Sequence, residues 1–451
     1  MGIIMITEFN LVKYLTSDRD KGRIVWLFNI GAEKYWNEAN SGVVDRSENA
    51  VVNRIEEMNL LISRKQDYVI LRRMPDKYYL NMLEKMGFSI PAILTPKDAD
   101  ELTPISELVL RDEALLRELK SIQAQNENVF LVPYGVTYIE EEIARKTGLK
   151  LIGAPSEICS RVNNKISNRL ISERLDLPVC KGEVCSSADE IRAAYYKLTN
   201  QTPFFEKVII KEPTGASGKG LYIIDCKERL ESVLRLITRM SRGKTGCKWL
   251  VEGWYKKKED LNCQVYISPK GSVDVFSIKQ QLLRDTVYFG SKISPDLDDE
   301  LINTYAKYGM MIGKYLFNAG YTGVAGIDSI VSSDNVLIPI IEINGRFTLS
   351  TYISFLNSIF KNKKILSRYF RMIADSPMKY EKICSELKDN GILYTGENGV
   401  FVYTSGTLPG ALQQENGSLF GRAFTLIIAD DWDKVEEINA RLETVMQGLT
   451  K

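Results

Sequence analysis

The sequence predicts a multidomain protein of mixed α/β and α+β class that opens on a parallel sheet. Three observations carry this. The 451 residues exceed the usual size of one domain, so two or three packed units are expected. The first third alternates short apolar runs with amphipathic stretches, the pattern of parallel strands joined by crossover helices. Beyond residue 200, two apolar runs flank a glycine-rich loop, and the last hundred residues mix strands with helices.

In the first third, Arg23 to Asn29, Tyr68 to Leu71 and Val129 to Pro133 read as buried strands, and Asn81 to Lys85 and Glu140 to Lys146 as helices. The turn Asn29-Ile30-Gly31-Ala32-Glu33 follows the first strand, where parallel sheets gather binding residues. The plainer reading of Gly31 is a left-handed turn glycine. Farther on, a helix is expected through Ala188 to Ala194, capped by Ser186 or Ser187. Val208 to Lys211 and Leu221 to Ile224 then form a hairpin around the glycines, which excludes a Walker A loop because that motif needs a helix N-terminus behind it. Near the end, Ser367 to Ala374 and Asp433 to Met446 read as helical, and the segments near Gly399 to Thr404 and Phe424 to Ala429 as strands.

Composition narrows the function. With 44% hydrophobic and 26% charged residues the chain can bury a large core and is not disordered. The 59 Lys+Arg nearly cancel the 58 Asp+Glu, so the charge balance draws the protein neither to nucleic acid nor to an anionic membrane. The absence of histidine excludes Ser-His-Asp hydrolysis, Cys-His proteolysis and His-ligated metals. Seven cysteines without a CxxC pair suit reduced thiols and argue against structural zinc. An apolar run of about 18 residues, the minimum for a membrane span, is lacking, as is a targeting segment, so a cytoplasmic location is expected.

The chemistry concentrates in two places. Lys211-Glu212-Pro213-Thr214-Gly215-Ala216-Ser217-Gly218-Lys219-Gly220 packs flexible backbone N–H donors, hydroxyls and positive charge together, which is what polyphosphate requires. A structural hairpin loop is its plainer reading. The second place is Gly326-Ile327-Asp328 with Glu342-Ile343-Asn344-Gly345-Arg346. Strand alternation sets Glu342, Asn344 and Arg346 on one face, with Asp328 beside them on a neighbouring strand. Two carboxylates and an amide oxygen make a hard oxygen site suited to Mg²⁺ on nucleotide phosphates. The competing reading is a solvated face with a Glu-Arg cross-strand pair.

These segments resemble the ATP-grasp superfamily over roughly Ser160 to Tyr352. The resemblance is carried in order by Arg161-Val162-Asn163-Asn164-Lys165, by Ile210-Lys211 before the glycine loop, by Val251-Glu252-Gly253-Trp254-Tyr255 as an adenine hinge, and by Asp328, Glu342 and Asn344. It implies a pre-ATP-grasp α/β domain over 1–155 and two α+β subdomains over 156–250 and 251–451. ATP would lie between these two, with Lys165 and Lys211 on its phosphates. Gly215, Ser217, Gly218 and Gly220 would cover it, and Glu252, Trp254 and Tyr255 would line the adenine. Asp260, with Glu259 as the alternative, would take the ribose. Asp328, Glu342 and Asn344 would hold Mg²⁺, replaceable by Mn²⁺, and Arg346 would face an acyl phosphate.

Lys279 to Ser291, which includes Arg284, and Arg346 to Tyr352 resemble in addition the peptide ligases of antibiotic pathways. These are the pheganomycin type and the butirosin-pathway glutamate to acyl-carrier-protein ligase. The implied activity joins an amino acid or small carboxylic acid to an amine, a peptide or a phosphopantetheinyl carrier-protein thiol, releasing ADP and phosphate, with Arg346, Arg284 and Lys211 as the catalytic cations. A homodimer is compatible with this. A non-catalytic nucleotide-binding protein and a carboxylase or synthetase acting on a small metabolite are the alternatives.

Overall fold

The computed structural model describes residues 10–11, 22–36, 45–202, 204–215, 220–241, 246–284, 287–410, 413–414 and 417–450. Five parallel strands come first: β1 (Arg23–Leu27), β2 (Tyr68–Ile70), β3 (Ala92–Leu94), β4 (Val129–Pro133) and β5 (Lys150–Leu151), in the order β3-β2-β1-β4-β5. A parallel sheet is covered on both faces, and β1 serves two cores by alternation. Ile24 and Trp26 enter one core, Val25 and Leu27 the other. Helices Lys77–Lys85 and Tyr138–Thr147 contain both stretches expected to be helical, and Gly31 adopts φ 86°, the left-handed turn.

The second sheet is antiparallel, with β6 (Gly182–Cys185), β7 (Val208–Lys211), β8 (Leu221–Ile224) and β9 (Trp249–Gly253) in the order β6-β9-β7-β8. The hairpin β7-β8 carries the glycine loop, and Ser187 caps helix Ala188–Asn200 by accepting from the Glu190 N–H.

The third sheet has eight strands. They are β10 (Lys257–Ile267), β11 (Val273–Arg284), β12 (Val287–Ile293), β13 (Gly323–Ser332), β14 (Leu337–Asn344), β15 (Lys364–Ala374), β16 (Gly399–Val402) and β17 (Leu419–Ala429). Their order is β14-β13-β10-β11-β12-β15-β17-β16. Helix Asp299–Asn318 covers β10 and β11. It approaches closely because Gly313 has no side chain: a Cβ there would stand 2.4 Å from Val273.

One expectation fails here. Residues 367–374 are not helical but belong to β15, which pairs with β17 along its whole length from Lys364 to Ala374. Leu, Arg and Met favour a helix locally, yet the Tyr369-Phe370 aromatics suit a pleated surface, and the neighbouring strand supplies the ladder that decides. Helix Trp432–Leu449 contains the other predicted helix.

The parallel sheet and the last strands share one core. Trp26 meets Phe347 edge-on at 6.3 Å between ring centres, and Phe28 lies 4.8 Å from Tyr352. Glu57, fully buried, accepts the backbone N–H groups of Ser405 and Gly406, and the Tyr79 hydroxyl donates to the Tyr403 carbonyl. All seven cysteines are free thiols. Among the described residues no helix is long and apolar enough to cross a membrane.

Candidate active site

Asp328 on β13 and Glu342 on β14 stand directly opposite each other, and Gly326 faces Asn344 two residues along. Asn344 donates to Asp328 Oδ2 at 3.0 Å, while Asn262 and Gln281 donate to its Oδ1 at 2.8 and 2.9 Å. Burial, then the neighbouring Glu342 charge, push the Asp328 carboxyl up to about 6, against the pull of these amide donors. Two carboxylates facing each other on a half-buried sheet face, with an amide beside them, form a donor set that fits a hard divalent cation. Asp328, Glu342 and Asn344 would hold it.

Lys165 opens helix Lys165–Arg174, whose cap Asn164 accepts from the Ile166 and Ser167 N–H groups. The helix and the residues before it dock at the end of β14: Asn163 accepts from Gly345 N just beyond the strand, and Asn168 Oδ1, inside the helix, accepts from Ile343 N. Lys165 is thereby brought over the sheet, 4% exposed, and donates to Glu342 Oε1 and to the Gly215 carbonyl, both at 2.8 Å. The glycine loop is described at its ends. Gly220 takes φ 72°, and a Cβ there would stand 3.0 Å from Glu212. Ser217 and Gly218 lie outside the described residues.

Lys211 closes β7 and pairs with Glu252 Oε2 at 2.7 Å, and Arg169 donates to the other oxygen at 3.1 Å. Burial by itself would lower the Lys211 ammonium; the Glu252 carboxylate reverses this and holds it above the ordinary lysine value. The Glu252 side chain thus answers two cations, and at the strand exit the Gly253 N–H donates to the Lys181 carbonyl. Trp254 is half-buried and donates its backbone N–H to Lys207. Tyr255 packs on Phe205 at 5.0 Å and accepts from Lys181 N, so its ring serves the core of this subdomain.

Asp260, the residue the resemblance puts on the ribose, lies within β10, which begins at Lys257. Asp260 there accepts from Lys257 at 2.7 Å, and Glu259, which pairs with Gln280, is the adjacent strand residue. Arg284 is the last residue of β11; its side chain lies outside the described residues.

β14 stops at Asn344, so Arg346 does not share the strand face by alternation. It enters from a tight turn in which its N–H bonds the Asn344 carbonyl. Its guanidinium pairs with Glu33 at 2.6 Å, donates to the Tyr134 hydroxyl at 2.9 Å and lies 5.0 Å from that ring. Burial would lower its pKa, and Glu33 heads the groups that raise it above the usual range. Arg346, Glu342, Gly215 and Asn163 border a narrow cleft together with Glu33 and Trp36 from the parallel-sheet domain. Sequence reasoning flagged the turn containing Glu33 but did not join it to Arg346. Trp36, Tyr134 and Asn262 lay in no motif, and Gln281 stood only within the Lys279 to Ser291 stretch without a role of its own. Thr348 caps the short helix Leu349–Tyr352 and donates its backbone N–H to Thr351 Oγ1.

The chain matches three families of domains: the pre ATP-grasp domain over residues 55–149, the ATP-grasp domain over 170–347 and the PGM1 C-terminal domain over 382–442. It is 28% identical over 335 residues to a butirosin acyl-carrier protein–L-glutamate ligase of Niallia circulans, covering 73% of this chain and 74% of that protein. It is 25% identical over 275 residues to an L-propargylglycine–L-glutamate ligase of Streptantibioticus cattleyicolor, a match spanning 56% of this chain and 55% of the relative. Among solved structures, a biotin carboxylase from Campylobacter jejuni shares the fold with a TM-score of 0.55 at 16% identity, covering 93% of this chain and 91% of that one. With the order of segments, the two carboxylates in register and the lysine over them, these matches give the chain a pre-ATP-grasp domain over 55–149 ahead of an ATP-grasp domain over 170–347.

Proposed function

We propose that this protein is an ATP-dependent carboxylate ligase. A substrate carboxylate oxygen attacks the γ-phosphorus of ATP, the bond to the β-γ bridging oxygen breaks, and ADP leaves. An amine or thiol then attacks the acyl carbon of the acyl phosphate, and phosphate departs with the carbonyl restored. The observation that supports this most is the Asp328-Glu342 pair facing one way in register, with Lys165 above it and Arg346 beside the same cleft.

A divalent cation, Mg²⁺ or Mn²⁺, would supply charge neutralisation between the β- and γ-phosphates. The chain's own groups do the rest. Lys165 and Lys211 offset phosphate charge, and the glycine loop between β7 and β8 excludes water from an acyl phosphate that water would destroy. Arg346, held rigid by Glu33 and Tyr134, orients the carboxylate. No protein nucleophile is required, which agrees with a chain lacking histidine.

The units are assigned as a pre-ATP-grasp domain over 1–155, a lid subdomain over 156–250 and a metal-bearing subdomain over 251–451. The names of both curated relatives include L-glutamate, and one includes an acyl-carrier protein. An amino acid is therefore the favoured acid, and an amino acid, a peptide or a phosphopantetheinyl carrier the acceptor, in a natural-product pathway. The test is ADP release over a panel of amino acids and small acids, with hydroxylamine replacing the acceptor. Hydroxamate with ADP and phosphate is expected; AMP and pyrophosphate would mean an adenylate and overturn the reading.

A further inference from the structure

Lys279, Asn262, Asp328 and Glu342 stand directly opposite one another on β11, β10, β13 and β14. Residues in such a cross-strand row share one face. The lysine therefore stands in the row that carries the two carboxylates at its far end. With strands about 4.8 Å apart, it lies two strands, or roughly 10 Å, from Asp328.

Lys279 is fully buried, and its Nζ bonds Ser277 Oγ at 2.5 Å and Ser354 Oγ at 2.6 Å. Burial pushes this amine down to about 7, with Cys263 on β10 opposing weakly. A neutral amine has two N–H donors, and the two hydroxyls accept both of them. Among the described residues Nζ has no third hydrogen-bond partner.

Ser354 carries the tie onward, donating to the Ser350 carbonyl at 2.8 Å. One residue further, Thr351 donates to Gln264 Oε1 at 2.6 Å; Gln264 in turn donates to Asn262 Oδ1 at 2.6 Å and to Thr348 Oγ1 at 3.1 Å. Asn262 closes the circuit on Asp328. The helical turns from Leu349 to Phe355 are thus held against the sheet at two points, by Lys279 at one end and Gln264 at the other. Between them the Ser350 hydroxyl, 3% exposed, has no hydrogen-bond partner among the described residues.

We propose that Lys279 is a positioning residue for the acceptor: it fixes these helical turns, which follow the strand bearing Glu342 and Asn344, relative to the Asp328 carboxylate. The proposal rests on the ligase reading above and adds to it which elements hold the second substrate. Lys279 does not touch ATP or the acid, so its loss separates the two half-reactions.

The test uses the full chain, the acid with the best hydroxamate yield, and as acceptor the common L-amino acid giving the fastest ADP release. In Lys279→Met the KM for that acceptor rises about fivefold, the size expected for one lost hydrogen-bonded tie. Hydroxamate formation at saturating hydroxylamine and the Kd for ATP stay within about twofold, because neither needs the held turns. Ser354→Ala cuts the same tie from its other end and gives the same split, and the double variant is no worse than either single one. If Lys279→Met does not fold, Ser354→Ala decides alone. Unchanged acceptor KM, or equal losses in hydroxamate formation and acceptor use, overturns the proposal while an active wild type keeps the ligase reading. A wild type that releases no ADP with any acid overturns both.

Discussion

Lys165 Nζ lies 2.8 Å from Glu342 Oε1 and 2.8 Å from the Gly215 carbonyl, so one ammonium clips the glycine loop to the carboxylate pair. On the proposed ligase reading the phosphates would take the lysine and a divalent cation would be held by Glu342, so both would compete with this clip. Lys165→Met is therefore expected to act in opposite directions. ATP affinity falls at least about tenfold with the loss of a charge near the phosphates. Mn²⁺ affinity of the nucleotide-free protein rises, because Glu342 loses a competing cation. Calorimetric titrations of each ligand check both signs.

Lys211→Ala weakens ATP binding as well, and it leaves buried Glu252 with Arg169 as its remaining charge partner. The variant should lose about 1–3 kcal/mol of stability, the cost of an under-satisfied buried polar group. Urea unfolding measures it; an unaltered midpoint with unaltered ATP affinity removes both roles of the lysine.

Glu342→Gln keeps the shape of the row while removing one negative charge from the proposed cation site. Phosphoryl transfer is expected to fall by orders of magnitude, as when a cation that stabilises transition-state charge is lost. ATP still binds through Lys211 and the strand exit at Gly253. Single-turnover ADP formation beside an ATP titration separates the two effects.

Thr348 and Ser350 differ in what they should cost. The Thr348 hydroxyl is engaged by Gln264 and Thr351, so Thr348→Val weakens the helix cap by about 1 kcal/mol and raises the acceptor KM together. Ser350→Ala breaks no side-chain bond among the described residues, so the acceptor KM rises while the melting temperature holds. Identical kinetics in both variants would move the acceptor elsewhere.

Stability should report Lys279 through pH. Its folded value near 7 lies below the ordinary 10.5, so between these the unfolded chain binds a proton that the folded chain does not. Stability then rises with pH across that window and is lost as pH falls toward 7. In Lys279→Met this slope flattens. Melting temperatures of both proteins from pH 7 to 10 test it, and parallel curves would mean that the amine keeps its proton when folded.

What the sequence disclosed was local. Strand β4, the hairpin β7-β8 and the last helix each follow from apolar periodicity within a few residues, and Asp328, Glu342 and Asn344 stand out because two short strands carry them. The register that sets Lys279 in the same row depends on three strand pairings that periodicity does not fix. Glu33 was visible only as part of a turn, since its partner Arg346 is far along the chain. The misreading of 367–374 has the same root: pairing with β17, a long-range contact, outweighed local helix propensity.

The core shared by Trp26, Phe28, Phe347 and Tyr352, with Glu57 bound to a segment 348 positions later, sets a schedule for synthesis. The parallel sheet leaves the ribosome early, with one apolar face still waiting for its cover. The grasp is threaded between the two halves of that core, so folding of the whole is governed by contacts of very large sequence separation, the slow and aggregation-exposed kind. A nascent chain halted after β14 should thus depend on chaperones until β15 and β17 emerge.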